Sequence, residues 1–179
     1  NFYGDSKLQA DVAVRELADD SFKVIVLRPP MIYGRGSKGN YPTLAKLAKK
    51  MPVFPDVKNE RSVLYVENLC ELLCQVMCIK IFKRNSIVLL PQNAEWIRTS
   101  EMVQNISTAN DKRIRITRVL TPIVQISSRL PGKIGEIANK AFGCNCYAYR
   151  FSVYEGIQYQ KFDLEKSIIK VEKNVRDEQ

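Results

Sequence analysis

The stretch Phe22-Lys23-Val24-Ile25-Val26-Leu27 constrains this chain more than any other. It is a short, nearly continuous apolar run, and such a run reads as a parallel strand buried on both faces. Its flanks agree. Residues 4–19 read as a helix, with an apolar stripe at Leu8, Val12 and Ala13 and polar positions at Asp11, Arg15, Glu16 and Asp19. Ser21 breaks that pattern, and Pro29 and Pro30 end the strand. Helix followed by buried parallel strand predicts an α/β fold.

Ahead of the helix pattern stands Asn1-Phe2-Tyr3-Gly4-Asp5-Ser6-Lys7. Tyr3 and Lys7 are four apart, which puts them on one helical face a turn apart. An ammonium beside a phenol favours the phenolate and draws a hydroxyl of reference pKa ~10 toward working pH. A tyrosine so placed can act as the base in alcohol oxidation. Tyr-x-x-x-Lys alone also recurs by chance on solvated helices. It gains weight from Leu27-Arg28-Pro29-Pro30-Met31-Ile32-Tyr33-Gly34, further along the chain.

Together the two stretches resemble the extended short-chain dehydrogenase/reductase family, in its NAD-dependent nucleotide-sugar epimerase/dehydratase branch. The resemblance covers essentially the whole chain, as the C-terminal half of such an enzyme. It implies the C-terminal part of a Rossmann-type parallel sheet plus a smaller mixed α/β substrate-binding domain. Residues 1–38 would be the tail end of the NAD-binding domain and 39–179 mainly the nucleotide-sugar region. Strand 86–90 is a candidate to return to the Rossmann sheet. The family's N-terminal half would carry the glycine-rich turn and a catalytic Ser or Thr, whereas this sequence starts two residues before Tyr3 with no initiating Met. The expectation is a fragment that is inactive alone and self-associates.

Gly34-Arg35-Gly36-Ser37-Lys38-Gly39 matches the dinucleotide pattern G-x-G-x-x-G. The pattern requires a strand directly before the glycines, and here the prolines end the strand several residues earlier. The segment Met51-Pro52-Val53-Phe54-Pro55 is bracketed by prolines, which argues against a central strand. These glycines are therefore expected in a substrate loop. Further on, 41–50 reads as a helix with Pro42 in its first turn, where a missing N–H costs nothing. Residues 67–82 form the strongest helix pattern, with Leu69, Leu72, Leu73, Val76 and Met77 on one stripe. A strand at 86–90 follows, then a helix through Ile106 capped by Thr99 or Ser100, with Glu101 in its first turn. A basic strand is expected at 113–118 and amphipathic helices at 121–130 and 133–142, stopped by Gly132 and Gly143. A last helix is expected at 163–172, where Asp-x-x-x-Ser-Ile also resembles the family's C-terminal element.

The family's functional residues map onto this sequence in several places. Tyr3 would take the proton of the sugar 4-hydroxyl, and Lys7 would lower its pKa and hydrogen-bond the nicotinamide ribose. Pro30 would pack near the nicotinamide. Asn40 would hydrogen-bond the sugar nucleotide, the Val53–Phe54 backbone would meet the base, and Arg61 would grip the diphosphate, a task suited to a guanidinium. The implied activity is NAD-dependent 4-epimerisation of UDP-glucose and UDP-galactose through a 4-keto sugar, in a cytoplasmic homodimer. Met31 departs from the polar Asn that many relatives carry there, and Arg35 stands where Pro is common. A second phosphate clamp is unassigned, with Arg129 and Arg150 candidates by charge alone. A nucleotide-sugar dehydratase or reductase, or a non-catalytic protein binding NAD or nucleotide sugar, is the alternative.

The net charge of +9 invites a nucleic-acid reading, but the basic residues are spread along the chain and no such motif accompanies them. The densest cluster, Lys112 to Arg118, alternates basic and apolar as a half-buried strand does. No apolar run reaches the ~20 residues of a membrane span. Neither nucleic acid nor membrane is expected as a partner. Five cysteines argue against a disulfide framework, and with no His at all a metal is not expected. Cys70, Cys74 and Cys78 read as small buried hydrophobes on one helical face.

Overall fold

The computed structural model describes residues 2–78 and 84–176, with the side chains of Tyr3, Lys133, Ile134, Ile137, Asn174, Val175 and Arg176 outside the described set. The chain opens with helix α1 (Phe2–Glu16) and strand β1 (Val24–Leu27). Strand β2 (Met31–Tyr33), helix α2 (Asn40–Lys50), strand β3 (Val53–Pro55) and strand β4 (Val63–Tyr65) follow. Then come helix α3 (Val66–Cys78), strand β5 (Ser86–Leu89), helix α4 (Thr99–Ala109) and strand β6 (Arg115–Thr117). Helices α5 (Thr121–Arg129), α6 (Lys133–Phe142) and α7 (Leu164–Arg176) complete it.

The strands form three parallel pairs. β1 runs beside β5 with Val24 opposite Ser86, β2 beside β4 with Met31 opposite Val63, and β3 beside β6 with Val53 opposite Arg115. The apolar run of β1 thus has a parallel neighbour on one edge. Its side chains are only partly covered, and of its four residues Val24 alone is fully buried.

The main core lies where α2, α4 and α7 close over β2 and β4. Tyr33, Tyr65, Phe54, Met102, Ile106 and Ile168 are buried there, with the Tyr33 ring stacked on Tyr41 at 5.4 Å. Gly34 permits the close approach of strand β2 to the start of α3, because a Cβ there would stand 2.3 Å from Val66 Cγ1. Two stretches distant in sequence also meet. The Tyr33 hydroxyl lies 2.6 Å from Ser167 Oγ and accepts from Asn93 Nδ2 at 2.9 Å. Asn93 in turn accepts from the Tyr65 N–H and from Asn68 Nδ2. Burial in that setting pushes the Tyr33 hydroxyl up to about 12, against the opposing pull of its bonds to Ser167 and Asn93.

A raised tyrosine pKa has a defined alkaline consequence. Below the unfolded-state value near ~10 both states keep the proton, and the favourable burial is intact. Above it the unfolded chain releases the proton first, so Tyr33 alone lowers stability by about 1.4 kcal/mol per pH unit until the folded hydroxyl also titrates. Tyr41, Tyr65, Tyr154 and Tyr159, likewise raised by burial, add to the fall. Denaturant midpoints should therefore drop between about pH 10 and about pH 12. A flat midpoint over that window would mean that Tyr33 titrates normally.

Several expectations need correction. The prolines do follow the end of β1 at Leu27, but a separate strand, β2, stands directly before Gly34 and pairs with β4. Residues 53–55 form a strand in a two-stranded pair, so it is an edge and not a central strand, as the flanking prolines implied. Arg98, not Thr99 or Ser100, occupies the cap of α4, and its N–H donates to Glu101 Oε2 at 3.1 Å. Gly132 starts α6 with φ 79° instead of stopping α5, whereas Gly143 does close α6. On α3 the buried line runs through Asn68 and Leu72, while Leu73, Met77 and Cys70, Cys74 and Cys78 are exposed. Spacing identifies a helical face but not the direction it turns; here the hydrogen bonds of Asn68 to Asn93 and Phe162 select it. The expected extension of α3 to Phe82 lies outside the described residues.

Candidate functional site

A cavity of about 300 Å3 opens between α2, the start of α4 and the end of α6. Asn40, the first residue of α2, and Thr99, the first of α4, line it. Helix N-termini carry partial positive charge, which suits an anion. Arg61 and Lys140 add full positive charge to the wall, and Met31, Leu44, Val63, Ile97, Met102 and Phe142 supply apolar surface. Gly39, at φ 111°, is the residue from which the chain turns into α2 and brings Asn40 to the rim.

Arg61 is held from two sides. Its backbone exchanges hydrogen bonds with Ile97, N–H to O and O to N–H, both at 3.1 Å. Its Nη1 donates to the Lys140 and Ala141 carbonyls at 2.6 and 2.9 Å, capping the end of α6. Nε is buried and has no hydrogen-bond partner. Burial pulls the Arg61 pKa below its ordinary value, an effect the nearby Cys146 and Cys144 oppose. Arginine nevertheless stays charged in proteins. Buried Asn59 braces the same corner: its Nδ2 donates to Thr99 Oγ1 at 2.8 Å, and its Oδ1 accepts from the Thr99 N–H at 3.0 Å. Thr99 Oγ1 donates onward to the Ala141 carbonyl.

The structure thus brings Asn40 and Arg61 to one cavity, together with Met31. The other site residues expected from sequence stand elsewhere. Phe54 is buried with its ring tilted against Phe142 at 6.0 Å, so it backs the cavity without facing it. Val53 is half-buried, and the β3 backbone pairs with β6 on one edge. Lys7 is exposed and borders a different hollow, between α1 and the end of β1, with Leu27 and Arg28. The Tyr3 backbone lies in α1, and its side chain falls outside the described set. Pro30 lines neither hollow. Lys140, Asn59 and the cavity role of Thr99 had no signature in the sequence, because each depends on which loops meet.

Two of the glycines do have the backbone such a pattern uses, with Gly36 at φ 69° and Gly39 at φ 111°. The strand before them pairs with β4, however, and the strand after α2 pairs with β6. A dinucleotide turn needs its two flanking strands in one βαβ unit. Among the described residues no group of three His, Cys, Asp or Glu could hold a metal ion.

Residues 1–80 match the family model described as the NAD dependent epimerase/dehydratase family. Over 114 residues the chain is 35% identical to UDP-glucose 4-epimerase of Vibrio cholerae, an overlap of 62% of this chain and 34% of that one. The fold resembles UDP-N-acetylglucosamine 4-epimerase from Bacillus cereus, with a TM-score of 0.64 at 13% identity, covering 97% of this chain and 56% of that structure. UDP-glucose 4-epimerase of Thermus thermophilus, solved in complex with NAD, gives a TM-score of 0.59 at 14% identity, covering 87% and 47%. The chain therefore spans about a third of the curated relative and about half of the solved ones. At these identities the structural likeness establishes the fold, an α/β arrangement with parallel strands of the Rossmann-like epimerase type.

Proposed function

We propose that this chain belongs to the NAD dependent epimerase/dehydratase family, whose model matches residues 1–80, and that it is the sugar-nucleotide-binding part of an NAD-dependent 4-epimerase acting on UDP-glucose and UDP-galactose. Residues 1–38 belong in this reading to the cofactor domain and 39–179 mainly to the substrate region. The observation that carries the proposal is the shared cavity. Asn40 and Arg61, assigned to the substrate separately and 21 positions apart, line one cavity together with Lys140 and the first residue of α2. Arg61 and Lys140 take the diphosphate, and Asn40 takes a sugar-nucleotide hydroxyl. The Val53–Phe54 backbone lies behind this cavity on the base side.

The cofactor's place is read from the other hollow. In open α/β sheets ligands bind beyond the carboxyl ends of the strands. Lys7 borders the end of β1 at Leu27 and Arg28 and suits a nicotinamide ribose there, whereas Pro30 does not line that hollow and is assigned near the nicotinamide by resemblance alone. When bound, the nicotinamide supplies reversible hydride exchange. Tyr3, as phenolate, takes the proton of the 4-hydroxyl and returns it after the 4-keto sugar has turned its other face. Lys7, one helical turn on, keeps the phenol in its charged form. Exposed free thiols at all five cysteines favour a reducing, cytoplasmic setting. The exposed Leu8, Val12 and Val14 of α1 favour a homodimer.

Met31 on the cavity wall supports a second reading, a dehydratase or reductase of the same family, because it offers the sugar no hydrogen bond. Product analysis with UDP-galactose separates the two. Substrate gripping is tested on the chain itself by calorimetry with UDP. Arg61→Lys keeps the charge and loses the fork, so affinity should fall by about 1–2 kcal/mol, roughly tenfold. Arg113→Lys, exposed and remote, should stay within about twofold. Equal losses at both positions would mean that diffuse charge, not this cavity, holds the nucleotide.

A further inference from the structure

The lysines of α2 gather on the side turned away from the sugar-nucleotide cavity. Asn40, Thr43, Leu44 and Leu47 line that cavity. Pro42, Ala45, Lys46 and Lys49 repeat the same spacing two residues on, which is about 200° round a helix, and they line a second hollow of about 380 Å3. Its other walls are the turn from Gly34 to Ser37, which follows β2, and Val171 and Glu172 of α7. The glycine-rich segment that fails as a dinucleotide turn therefore forms the lip of a different hollow. Gly36 leaves that lip bare, and a Cβ there would meet nothing within 4 Å.

The side chains around this hollow supply many donors and few acceptors. Arg35, Lys46, Lys49 and Lys50 stand against one acid, Glu172. That acid is buried and already engaged: Lys49 Nζ pairs with it at 2.8 Å, and Tyr41 and Asn110 donate to it. Lys46 and Lys50 are exposed, and no ion pair joins either to a described residue. They are four apart, so their ammonium groups share one side of α2 a turn apart and repel each other unless an anion joins them. Lysine and arginine side chains can only donate. The Ser37 hydroxyl, also on this hollow, is covered and has no hydrogen-bond partner. A solvated lysine face accounts for the charges, but not for the concavity beside them or for the unpaired hydroxyl.

We infer that this hollow binds a phosphate group, free or carried by a small phosphorylated molecule, with Lys46 and Lys50 pairing with its oxygens and the Ser37 hydroxyl turned inward to donate a third bond. The charges match. Two unengaged ammonium groups meet a phosphate dianion, while Lys49 stays with Glu172 and ties α2 to α7. One dianion between the two lysines also removes their mutual repulsion. The hollow lies on the far side of α2 from the cavity that Arg61 and Lys140 line, so it does not depend on what that cavity holds.

Calorimetric titration of the 179-residue chain at low salt tests the inference, with inorganic phosphate and glucose 1-phosphate as the probes. Saturable binding of at least one is expected, with a Kd at or below about 1 mM. Lys46→Gln with Lys50→Gln should weaken it at least about tenfold, since each lysine makes a charge-assisted bond. Ser37→Ala should weaken it about fivefold, as the loss of one hydrogen bond does. Both variants should melt like the parent, because the lysines are exposed and alanine removes only an unpaired hydroxyl. Phosphate binding should also weaken below about pH 6, where the dianion takes up a proton, whereas sulfate binding should hold. Equal affinities would assign the hollow to phosphate itself and a tighter glucose 1-phosphate to a phosphorylated metabolite; either carries the inference. It fails if neither probe binds, or if the lysine variant binds both as the parent does. It also fails if Arg61→Lys weakens the binding and the lysine variant does not, because the phosphate then sits in the sugar-nucleotide cavity. Absence of UDP binding with phosphate binding intact would overturn the sugar-nucleotide reading and leave this site standing.

Discussion

Replacing Tyr3 by phenylalanine in an enzyme that joins this chain to its dinucleotide half is expected to lower turnover by about 10²–10⁴-fold, the usual worth of a positioned acid–base group. The ring stays, and only the hydroxyl that exchanges the 4-hydroxyl proton is removed. The cavity with Asn40 and Arg61 is lined by other elements, so UDP-sugar affinity should stay within a few-fold. A fall in turnover with unchanged binding is the signature of a group that acts in the transition state. Lys7→Met should also move the activity optimum to higher pH, because the phenol loses its cationic neighbour. Near-normal turnover in the phenylalanine variant would remove Tyr3 from the mechanism. A loss of affinity equal to the loss of turnover would make it a binding residue.

The second large effect concerns stability, and its origin is a buried carboxylate. Glu172 on α7 is 2% exposed. It accepts from the Tyr41 hydroxyl at 3.0 Å and from Asn110 Nδ2 at 2.7 Å, and it pairs with Lys49 Nζ at 2.8 Å. One side chain therefore joins α7 to α2 and to the end of α4. Burial, with Glu172 adding to it, drives the Tyr41 pKa far upward, so that hydroxyl remains a donor. Glu172→Ala leaves a buried hydroxyl and a buried amide unpaired and strands the Lys49 charge. Breaking a buried pair costs about 3–5 kcal/mol, reduced here because Lys49 can turn to water, so about 2–4 kcal/mol is expected. In a chain of this size that is a fall in Tm of about 5–12 °C. Glu172→Gln keeps an acceptor for Tyr41 and should cost less than half as much. Denaturant melts of the two variants decide the matter. A loss under about 0.5 kcal/mol in the alanine variant would mean that water replaces the carboxylate.

Much of the local structure was legible in the order of residues. The strand of the opening apolar run, the strong helix after residue 66 and the last helix all lie where period and punctuation put them, because those signals are local. Asn40 and Arg61 were legible as substrate residues only through resemblance, yet they lie on one cavity. The misreadings have one physical cause. A period of 3.6 finds a face but not its direction, so Cys70, Cys74 and Cys78 were turned inward when Asn68 and its partners hold that side. The two prolines do follow the end of β1, but the separate strand at Met31 went unread because its ladder comes from β4, some thirty residues away. Only the packed chain decided that Glu172 is buried among three partners and that Arg61 caps α6. Those outcomes depend on contacts between residues tens of positions apart, and such contacts are set by which surfaces the whole core leaves available.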